Sequence, residues 1–167
     1  MPNTDLQTPD AIVKTVTLKA DLDRVWRAIS DAGEFGQWFG MRFDAPAFTP
    51  NTKMTGRITP TVVNDEVAAM QKPHEGMPFE MVVADIVPKS LFSFRWHPYA
   101  IDKNIDYSKE PMTLITFALK EVEGGVHLTI TEAGFNDIPI ERRAEAFAAD
   151  SGGWEKQMEL IEAWLAR

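Results

Sequence analysis

The sequence predicts an α+β domain in which an antiparallel β-sheet is covered by helices on one face. Two observations favour this class. Segments rich in β-branched and aromatic residues follow one another through the middle of the chain, separated by turn residues. Apolar residues with a helical period occur after the first such segment and again at the C-terminus. Strands joined by short turns pair antiparallel, and helices segregated from them pack against one face of the sheet.

The first predicted strand is the loosely alternating segment 11–20, and two short helices follow it. Asp21 is a suitable N-cap because its carboxylate can accept hydrogen bonds from free N–H groups of the first turn. The apolar residues of this helix recur at steps of three and four, namely Leu22, Val25, Trp26 and Ile29. Ser30 and Asp31 begin a second helical segment that ends at residues 38–40.

Two further strands are predicted at residues 41–48 and 53–59. The segment 60–78 combines proline, glycine and charged residues, and we expect mainly a long loop there. A second long loop is expected at residues 98–110. Long loops without secondary structure are uncommon in compact domains and often act as lids. Both segments are therefore candidate lids over a site.

Two hairpins are predicted in the second half of the chain, at 79–97 and 112–135. The first turns at Pro88–Lys89, where proline presets a tight turn, and the second at Gly124–Gly125. The first closure pairs Val83 with Phe94, and the second pairs Leu119 with Ile130. The large residues of both hairpins then share one face, which comprises Phe79, Met81, Val83, Phe92, Phe94, Trp96, Ile115, Phe117, Leu119, Leu128, Ile130 and Glu132. This face is either ordinary core or the lining of a ligand cavity.

Two polar residues are candidates for chemistry. Glu132 falls on the apolar face, where a carboxylate must be paired, protonated or hydrated. It has a structural partner such as a buried arginine, lies at a solvated strand end, or anchors a ligand. His97, followed by Pro98 and Tyr99, lies where a strand enters the second long loop and is placed to transfer protons, although such a segment is also typical of a turn. These two residues are the weak catalytic candidates.

A long C-terminal helix is predicted, with Asp137 as its N-cap and Pro139 in its first turn. One helical face follows alternating steps of four and three through Ile140, Ala144, Phe147, Ser151, Trp154, Met158, Ile161 and Leu165. The pattern runs through Gly152 and Gly153 without losing phase, which predicts one continuous helix. The small residues leave a bare patch beside Trp154. That patch accommodates either a close approach or kink of the helix, or a ligand beneath it.

Composition excludes several classes of function. The formal net charge of −8, with no dense Lys/Arg cluster, argues against nucleic-acid binding. The chain has no cysteine and its three histidines lack metal-ligand spacing, so we expect no metal and no cofactor. The longest mostly apolar run, 111–119, is shorter than the about 20 residues of a membrane span, so no stable membrane insertion is expected. We expect a polar N-terminal tail at 1–11, a single domain at 12–167 and a cytoplasmic location.

Five landmarks, taken in order, resemble those of the activator-of-heat-shock-protein-90-ATPase homologue family. They are ADLDRVWRAI at 20–29, WFG at 38–40, FRW at 94–96, TITEAGF at 129–135 and GW at 153–154. The resemblance extends over residues 12–167. This family belongs to the START-like, polyketide-cyclase-like superfamily with the helix-grip fold. The resemblance therefore implies a strongly bent antiparallel sheet that grips the C-terminal helix, with a hydrophobic cavity between them.

The resemblance also suggests what the cavity does. Members of the superfamily bind lipids, polyketides, flavonoid-like aromatics or hormones, and some catalyse cyclisation or dehydration. We therefore expect binding of a small hydrophobic molecule, with a cyclase or dehydratase activity as the first alternative. Stimulation of a chaperone ATPase is the second, although a compact chain of this kind lacks the additional N-terminal domain of the eukaryotic co-chaperones. The chain is expected to be a monomer or dimer.

The residues expected to line this cavity come from the shared sheet face and from the C-terminal helix. They are Phe79, Met81, Val83, Phe94, Trp96, Ile115, Phe117, Ile130, Glu132, Phe147, Ser151, Trp154 and Met158.

Overall fold

The computed structural model describes residues 9–167, so most of the predicted tail lies outside the described residues. Within this range, seven strands form one curved antiparallel sheet in the order β1-β7-β6-β5-β4-β3-β2. The strands are β1 (Ala11–Leu18), β2 (Met41–Phe43), β3 (Lys53–Ile58), β4 (Pro78–Val87), β5 (Leu91–Trp96), β6 (Thr113–Val122) and β7 (Gly125–Ala133). The helices are α1 (Leu22–Ser30), α2 (Ala32–Phe39), α3 (Asp65–Gln71) and α4 (Ile140–Leu165). The predicted α+β class is confirmed.

The two short helices after β1 begin at the predicted capping residues. Asp21 Oδ1 accepts a hydrogen bond from the Arg24 N–H at 2.8 Å, and Asp31 Oδ1 accepts one from the Glu34 N–H at 2.9 Å. Helix α2 ends at Gly40, whose φ of 101° places it in the left-handed region that glycine adopts without strain. This tight end directs the chain at once into β2 at the edge of the sheet.

The segment 60–78 differs from the predicted long loop because it contains α3. Asn64 Oδ1 accepts a hydrogen bond from the Val67 N–H at 2.9 Å, and acidic residues occupy the first turn, as helix N-termini favour. This capping signal is present in the sequence but lies between proline- and glycine-containing flanks. The predicted strand 41–48 is also shorter, since β2 ends at Phe43.

Both predicted hairpins are present, but the second has a different register. Val83 pairs with Phe94 as predicted. Leu119 pairs with Leu128 rather than Ile130, because Gly125 is already paired with Val122 and the turn consists of only two residues. A shift of two positions leaves every side chain on its predicted face, since side chains alternate with a period of two.

Helix α4 is continuous from Ile140 to Leu165, so Gly152 and Gly153 lie inside a single helix as predicted. The predicted N-cap was wrong. Asp137 belongs to a preceding 3-10 turn, and Pro139 occupies the cap position without a side-chain hydrogen bond. The apolar stripe also starts later than predicted, because Ile140 is 71% exposed and the first fully buried residue is Ala146.

The core lies between the sheet and helices α1, α2 and α4. Phe35 of α2 is at its centre and is fully buried. Its ring centroid lies 4.9 to 6.3 Å from those of Trp38, Phe39, Phe43, Phe48, Phe92, Phe94 and Phe117. Rings at these separations fill space efficiently and add favourable edge and stacking contacts. The sheet face next to α2 is therefore closed by side chains.

Within residues 9–167, the helices are all too short or too polar to cross a lipid bilayer.

Candidate functional site

A cleft of about 830 Å³ opens beside the closed part of the core. Strands β3 and β4 form one wall, α4 forms another, and α3 and the segment after β5 complete it. Its size lies in the range that accommodates a drug-sized ligand. Most of its larger side chains are apolar, among them Phe39, Met70, Met77, Phe79, Trp96 and Ile101.

Both segments predicted as candidate lids contribute to the cleft wall. Segment 60–78 contributes through α3 and the residues after it, including Val67, Met70 and Met77. Segment 98–110 contributes Tyr99, Ile101 and Tyr107, among others. The cleft is thus bounded by these two connecting segments and by α4, and the sheet supports it from one side.

Arg142 of α4 fixes both ends of segment 98–110. Its Nε donates to Glu110 Oε1 at 2.9 Å, and a terminal nitrogen donates to the Pro98 carbonyl at 2.8 Å. The guanidinium also lies over the Tyr107 ring, 4.7 Å from its centroid. Since all three partners belong to one segment, a single side chain holds this wall of the cleft against α4.

The predicted cavity residues divide into two groups. Phe79 and Trp96 line the cleft, as does the candidate His97. The other sheet residues are buried in the packed core, and these are Met81, Val83, Phe94, Ile115, Phe117 and Ile130. Aromatic side chains of α2 occupy the space in front of several of them, which is why their face does not open to the cleft.

The four predicted cavity residues of α4 are not part of the cleft lining. Trp154 and Met158 are buried, whereas Phe147 and Ser151 are half-buried. The Phe147 ring packs against Phe135, with centroids 5.0 Å apart. On α4, the cleft wall instead includes Asp150, Gly153 and Gln157.

Glu132 is fully buried and is held by three neutral donors. Its Oε2 accepts the Trp96 indole N–H at 2.8 Å and the Thr113 hydroxyl at 2.6 Å. Its Oε1 accepts the Trp154 indole N–H at 2.8 Å. In residues 9–167 no arginine or lysine forms a salt bridge with Glu132, so the structural partners are tryptophan and threonine rather than the arginine considered from sequence.

Asp150 is a second carboxyl group at the same place, and sequence reasoning missed it. Burial, the charge of Glu132 and a hydrogen bond with Glu132 raise the pKa of Asp150 to about 9, and the Arg142 charge only partly opposes this. At neutral pH Asp150 is therefore a neutral acid beside the Glu132 carboxylate. The available signal was its spacing, because Asp150 precedes Trp154 by four residues and so shares its helix face.

The sequence comparison identifies the family. Residues 19–166 match the family described as activator of Hsp90 ATPase homolog 1-like protein. The chain belongs to this family. A search of curated proteins gave no match. The predicted family is thus confirmed, and with it the helix-grip arrangement of a curved antiparallel sheet around a long C-terminal helix.

Solved structures share the fold of this family member at low sequence identity. Protein MLL2253 from Mesorhizobium loti has a TM-score of 0.68 and 19% identity, covering 94% of this chain and 97% of that one. A protein from Arthrobacter aurescens has a TM-score of 0.71 and 18% identity, covering 94% and 86%. DynU16, a putative protein in the dynemicin biosynthetic locus, has a TM-score of 0.65 and 20% identity, covering 95% of this chain and 48% of its own.

Across the described part of the chain, His, Asp and Glu side chains nowhere gather in a group of three or more that could hold a metal ion. The polar groups of the cleft are therefore best understood by their hydrogen bonds and charges.

Proposed function

We propose that this protein binds a small hydrophobic molecule in the cleft between the sheet, α4 and segment 98–110. The observation that carries the proposal is the cleft itself, about 830 Å³ in volume and walled mainly by aromatic and aliphatic side chains. Apolar surface of this kind gains free energy when a ligand removes it from water. Pockets with apolar walls and a few polar groups are the usual form of a small-molecule site.

The ligand class that the walls favour is aromatic or lipid-like. Phe79 and Trp96 lie edge to face, with ring centroids 5.8 Å apart, and offer a flat ring system room to stack or insert. Met70 and Met77 add flexible side chains that adapt to irregular shapes. A polyketide-like molecule is one such ligand, as the family resemblance of the sequence suggests.

A cyclase or dehydratase activity is the alternative, and it would need a polar group in contact with the bound molecule. Of the two catalytic candidates, Glu132 already accepts three hydrogen bonds and lies behind Trp96 and Trp154. His97 lines the cleft and keeps Nδ1 without a partner in the described chain. His97→Ala is therefore the variant that tests turnover, whereas Glu132 would act only through its neighbours.

Two glycines of α4 provide the matched test of binding. Gly153 lines the cleft and Gly152 does not, yet a Cβ added to either meets no atom within 4 Å. Gly153→Leu should therefore fill the cleft, while Gly152→Leu places the same side chain outside it. We expect naphthalene to shift backbone amide resonances of cleft residues in the wild type and in Gly152→Leu. Its affinity should fall about tenfold in Gly153→Leu, the equivalent of a partly lost apolar contact.

The outcome that would end the proposal is a titration in which neither naphthalene nor a medium-chain alcohol shifts any cleft resonance of the wild type. Equal weakening by the two leucine substitutions would count against this cleft as the site.

Three further expectations stay predictions: a chaperone partner, a cytoplasmic location, and an oligomeric state of monomer or dimer. The family name supports the first, and stimulation of a chaperone ATPase by the purified protein is its test. The absence of cysteine supports a reducing compartment. Light scattering measures the oligomeric state directly.

A further inference from the structure

Segment 98–110 is joined to the rest of the protein through one side chain. Among residues 9–167, its hydrogen bonds and its salt bridge to other parts of the chain all go to Arg142 of α4. The Pro98 carbonyl and the Glu110 carboxylate, at opposite ends of the segment, both accept from this guanidinium. The two ends therefore meet at one point, and the residues between them supply one wall of the cleft.

The inside of the segment is bonded to itself. The Asp102 N–H donates to the Tyr107 hydroxyl at 3.1 Å, and the Ile105 N–H donates to the Asp102 carbonyl at 3.2 Å. The Glu110 N–H donates to the Tyr107 carbonyl at 2.9 Å. A segment with adjacent ends and internal contacts of this kind is an Ω-loop, which is compact in itself. It can therefore move as a unit without breaking these bonds.

Apolar packing does little to fix the middle of the segment. Ile101 and Ile105 are 45% and 42% exposed. Tyr99 packs against the core, but its φ of 49° lies in the left-handed region, which is unfavourable for a residue with a bulky side chain. Strain of this kind persists only where surrounding contacts hold it. The directional contacts that keep the segment closed are thus concentrated at Arg142.

We propose that segment 98–110 is a lid that moves as a rigid unit about its two ends, and that Arg142 is the latch that keeps it closed. Opening removes Tyr99, Ile101 and Tyr107 from the cleft wall together and admits a ligand. The Arg142 and Glu110 side chains are only 14% and 15% exposed, so their charge-assisted contact is stronger than one in open solvent. The motion stands on these contacts alone, whereas a role in ligand exchange rests on the proposed function.

Arg143 provides a matched control. It follows Arg142 on α4, and its guanidinium donates to the Ile138 carbonyl at 3.0 Å and the Asn136 carbonyl at 2.8 Å. Among the described residues it has no hydrogen bond to segment 98–110. Arg143→Met therefore removes an equal charge and two hydrogen bonds but leaves the latch intact. Arg142→Lys keeps the positive charge and loses the planar fork that reaches both ends of the segment.

The first experiment needs no ligand and measures ¹⁵N relaxation dispersion of the free protein. In Arg142→Met and Arg142→Lys we expect residues 99–109 to share one exchange rate on the microsecond-to-millisecond timescale. Their open population should be about tenfold larger than in the wild type, as the loss of one charge-assisted hydrogen bond predicts. Arg143→Met should behave like the wild type. Hydrogen exchange at the Ile105 and Glu110 amides should not change, because their acceptors move with them.

The second experiment measures the kinetics of naphthalene binding by NMR line shapes of the cleft residues. Entry and exit both require the open lid, so the association and dissociation rates should each rise about tenfold in the Arg142 variants, in proportion to the open population. The dissociation constant should then change by less than about threefold. The rates of Arg143→Met should equal those of the wild type.

The outcomes separate the lid from the proposed function. If residues 99–109 are as rigid in both Arg142 variants as in the wild type, the lid is wrong. Faster hydrogen exchange at Ile105 and Glu110 would also overturn it, since the segment would then unfold locally rather than move as a unit. Unchanged naphthalene rates despite a mobile segment would show that ligands enter elsewhere.

Two further outcomes are decisive. A mobile segment in a protein that binds no naphthalene would support the lid and remove the proposed function, and the role in exchange with it. If Arg142→Met does not fold, Arg142→Lys and Glu110→Ala decide, because Glu110→Ala releases one end of the lid from the same guanidinium. Equal mobility of Glu110→Ala and the wild type would then contradict the latch.

Discussion

Two glutamates accept an indole N–H from the same helix but differ in their other contacts. Glu34 accepts from Trp164 near the end of α4, and Glu132 accepts from Trp154, both at 2.8 Å. Glu34 also binds two arginines of α1 and keeps 18% of its side-chain surface exposed. Glu132 is fully buried among neutral donors. We call these the Glu34 cluster (Arg24, Arg27, Glu34, Trp164) and the Glu132 cluster (Trp96, Thr113, Glu132, Asp150, Trp154).

The comparison shows where the protein depends on its polar groups. A carboxylate that has cations and water nearby has replacements for any lost contact, so each contact contributes little. A carboxylate buried among neutral donors has none, and every donor matters to it. The Glu132 cluster borders the cleft, and the Glu34 cluster ties α1, α2 and α4 together away from it. Similar contacts thus serve a site in one place and a scaffold in the other.

The largest expected difference comes from removing each carboxylate. Glu132→Ala leaves three donors unpaired, two of them on the buried residues Thr113 and Trp154, and should lower the free energy of unfolding by about 3 kcal/mol or more. Glu34→Ala leaves Arg24 and Arg27 in contact with water and only the Trp164 indole inside the protein, so it should cost about 1 kcal/mol. Urea denaturation of the two variants measures both values. Equal losses would show that burial among neutral donors does not distinguish the clusters.

The next difference is in the pH dependence of stability. The pKa of Asp150 rises from its ordinary 3.8 to about 9 in the folded protein, so the folded state holds a proton that the unfolded chain has released. Stability from this group is complete below about pH 4 and is lost as the pH rises toward 9, by at most about 1.4 kcal/mol per pH unit. Asp150→Asn cannot titrate. The free energy of unfolding of Asp150→Asn, taken relative to that of the wild type, should therefore rise by about 2 kcal/mol between about pH 6 and about pH 8. Urea denaturation at the two pH values measures this difference.

The Glu34 cluster should respond with the opposite sign. Burial raises the pKa of Glu34, but hydrogen bonds from Trp164 and Arg24, with the Arg24 charge, outweigh it and lower the pKa overall. Its contribution is therefore present at neutral pH and lost as the pH falls through the folded pKa. Glu34→Gln should remove part of the acid-induced loss of stability.

The Asp150 prediction has its own contradicting outcome. If the difference in free energy of unfolding between the wild type and Asp150→Asn stays constant with pH, the raised pKa of Asp150 is wrong.

A smaller difference is expected when each indole donor is removed. Trp154→Phe takes one hydrogen bond from the buried Glu132 and should cost about 2 kcal/mol, whereas Trp164→Phe should cost about 1 kcal/mol. Both substitutions keep an aromatic ring in place, so they are matched controls for packing. Urea denaturation is again the measurement, and a larger cost for Trp164→Phe would reverse the comparison.

The smallest effect concerns the helix that carries both indoles. Two glycines precede Trp154 in α4, and a Cβ at Gly152 or Gly153 meets no atom within 4 Å. Gly152→Ala and Gly153→Ala should therefore each raise the free energy of unfolding by about 0.5 to 1 kcal/mol. The stabilisation should appear as a rise in the midpoint temperature of thermal unfolding. A loss of stability would mean that the glycines serve a contact at the Glu132 cluster that alanine disturbs.

Much of the fold could be predicted because it depends on local patterns. Capping at Asp21 and Asp31 and the turn after Val87 are encoded within a few residues. The predicted faces of β6 and β7 are correct although the predicted register is wrong by two residues, because side chains alternate between the two faces with a period of two. Helix α3 was missed although Asn64 caps it, because proline and glycine in its flanks favoured a loop.

The site was predictable only in part. Glu132 stood out because a carboxylate on an apolar strand face is conspicuous. Asp150 did not, because an aspartate on a helix usually faces water, and only the tertiary fold brings it to Glu132. Strand parity also tells which face Phe94 and Phe117 occupy but not what lies opposite. Phe35 of α2 fills that space, and no local sequence pattern predicts this contact.

The paired indoles of Trp96 and Trp154 give the protein an intrinsic optical reporter. Their ring centroids are 5.5 Å apart, their planes differ by 21°, and one carboxylate fixes both. Chromophores held so close and so rigidly couple electronically, which produces a strong signal in near-ultraviolet circular dichroism. Trp96 also forms part of the cleft wall. Occupancy of the cleft should therefore change the near-ultraviolet circular dichroism spectrum of the unlabelled protein.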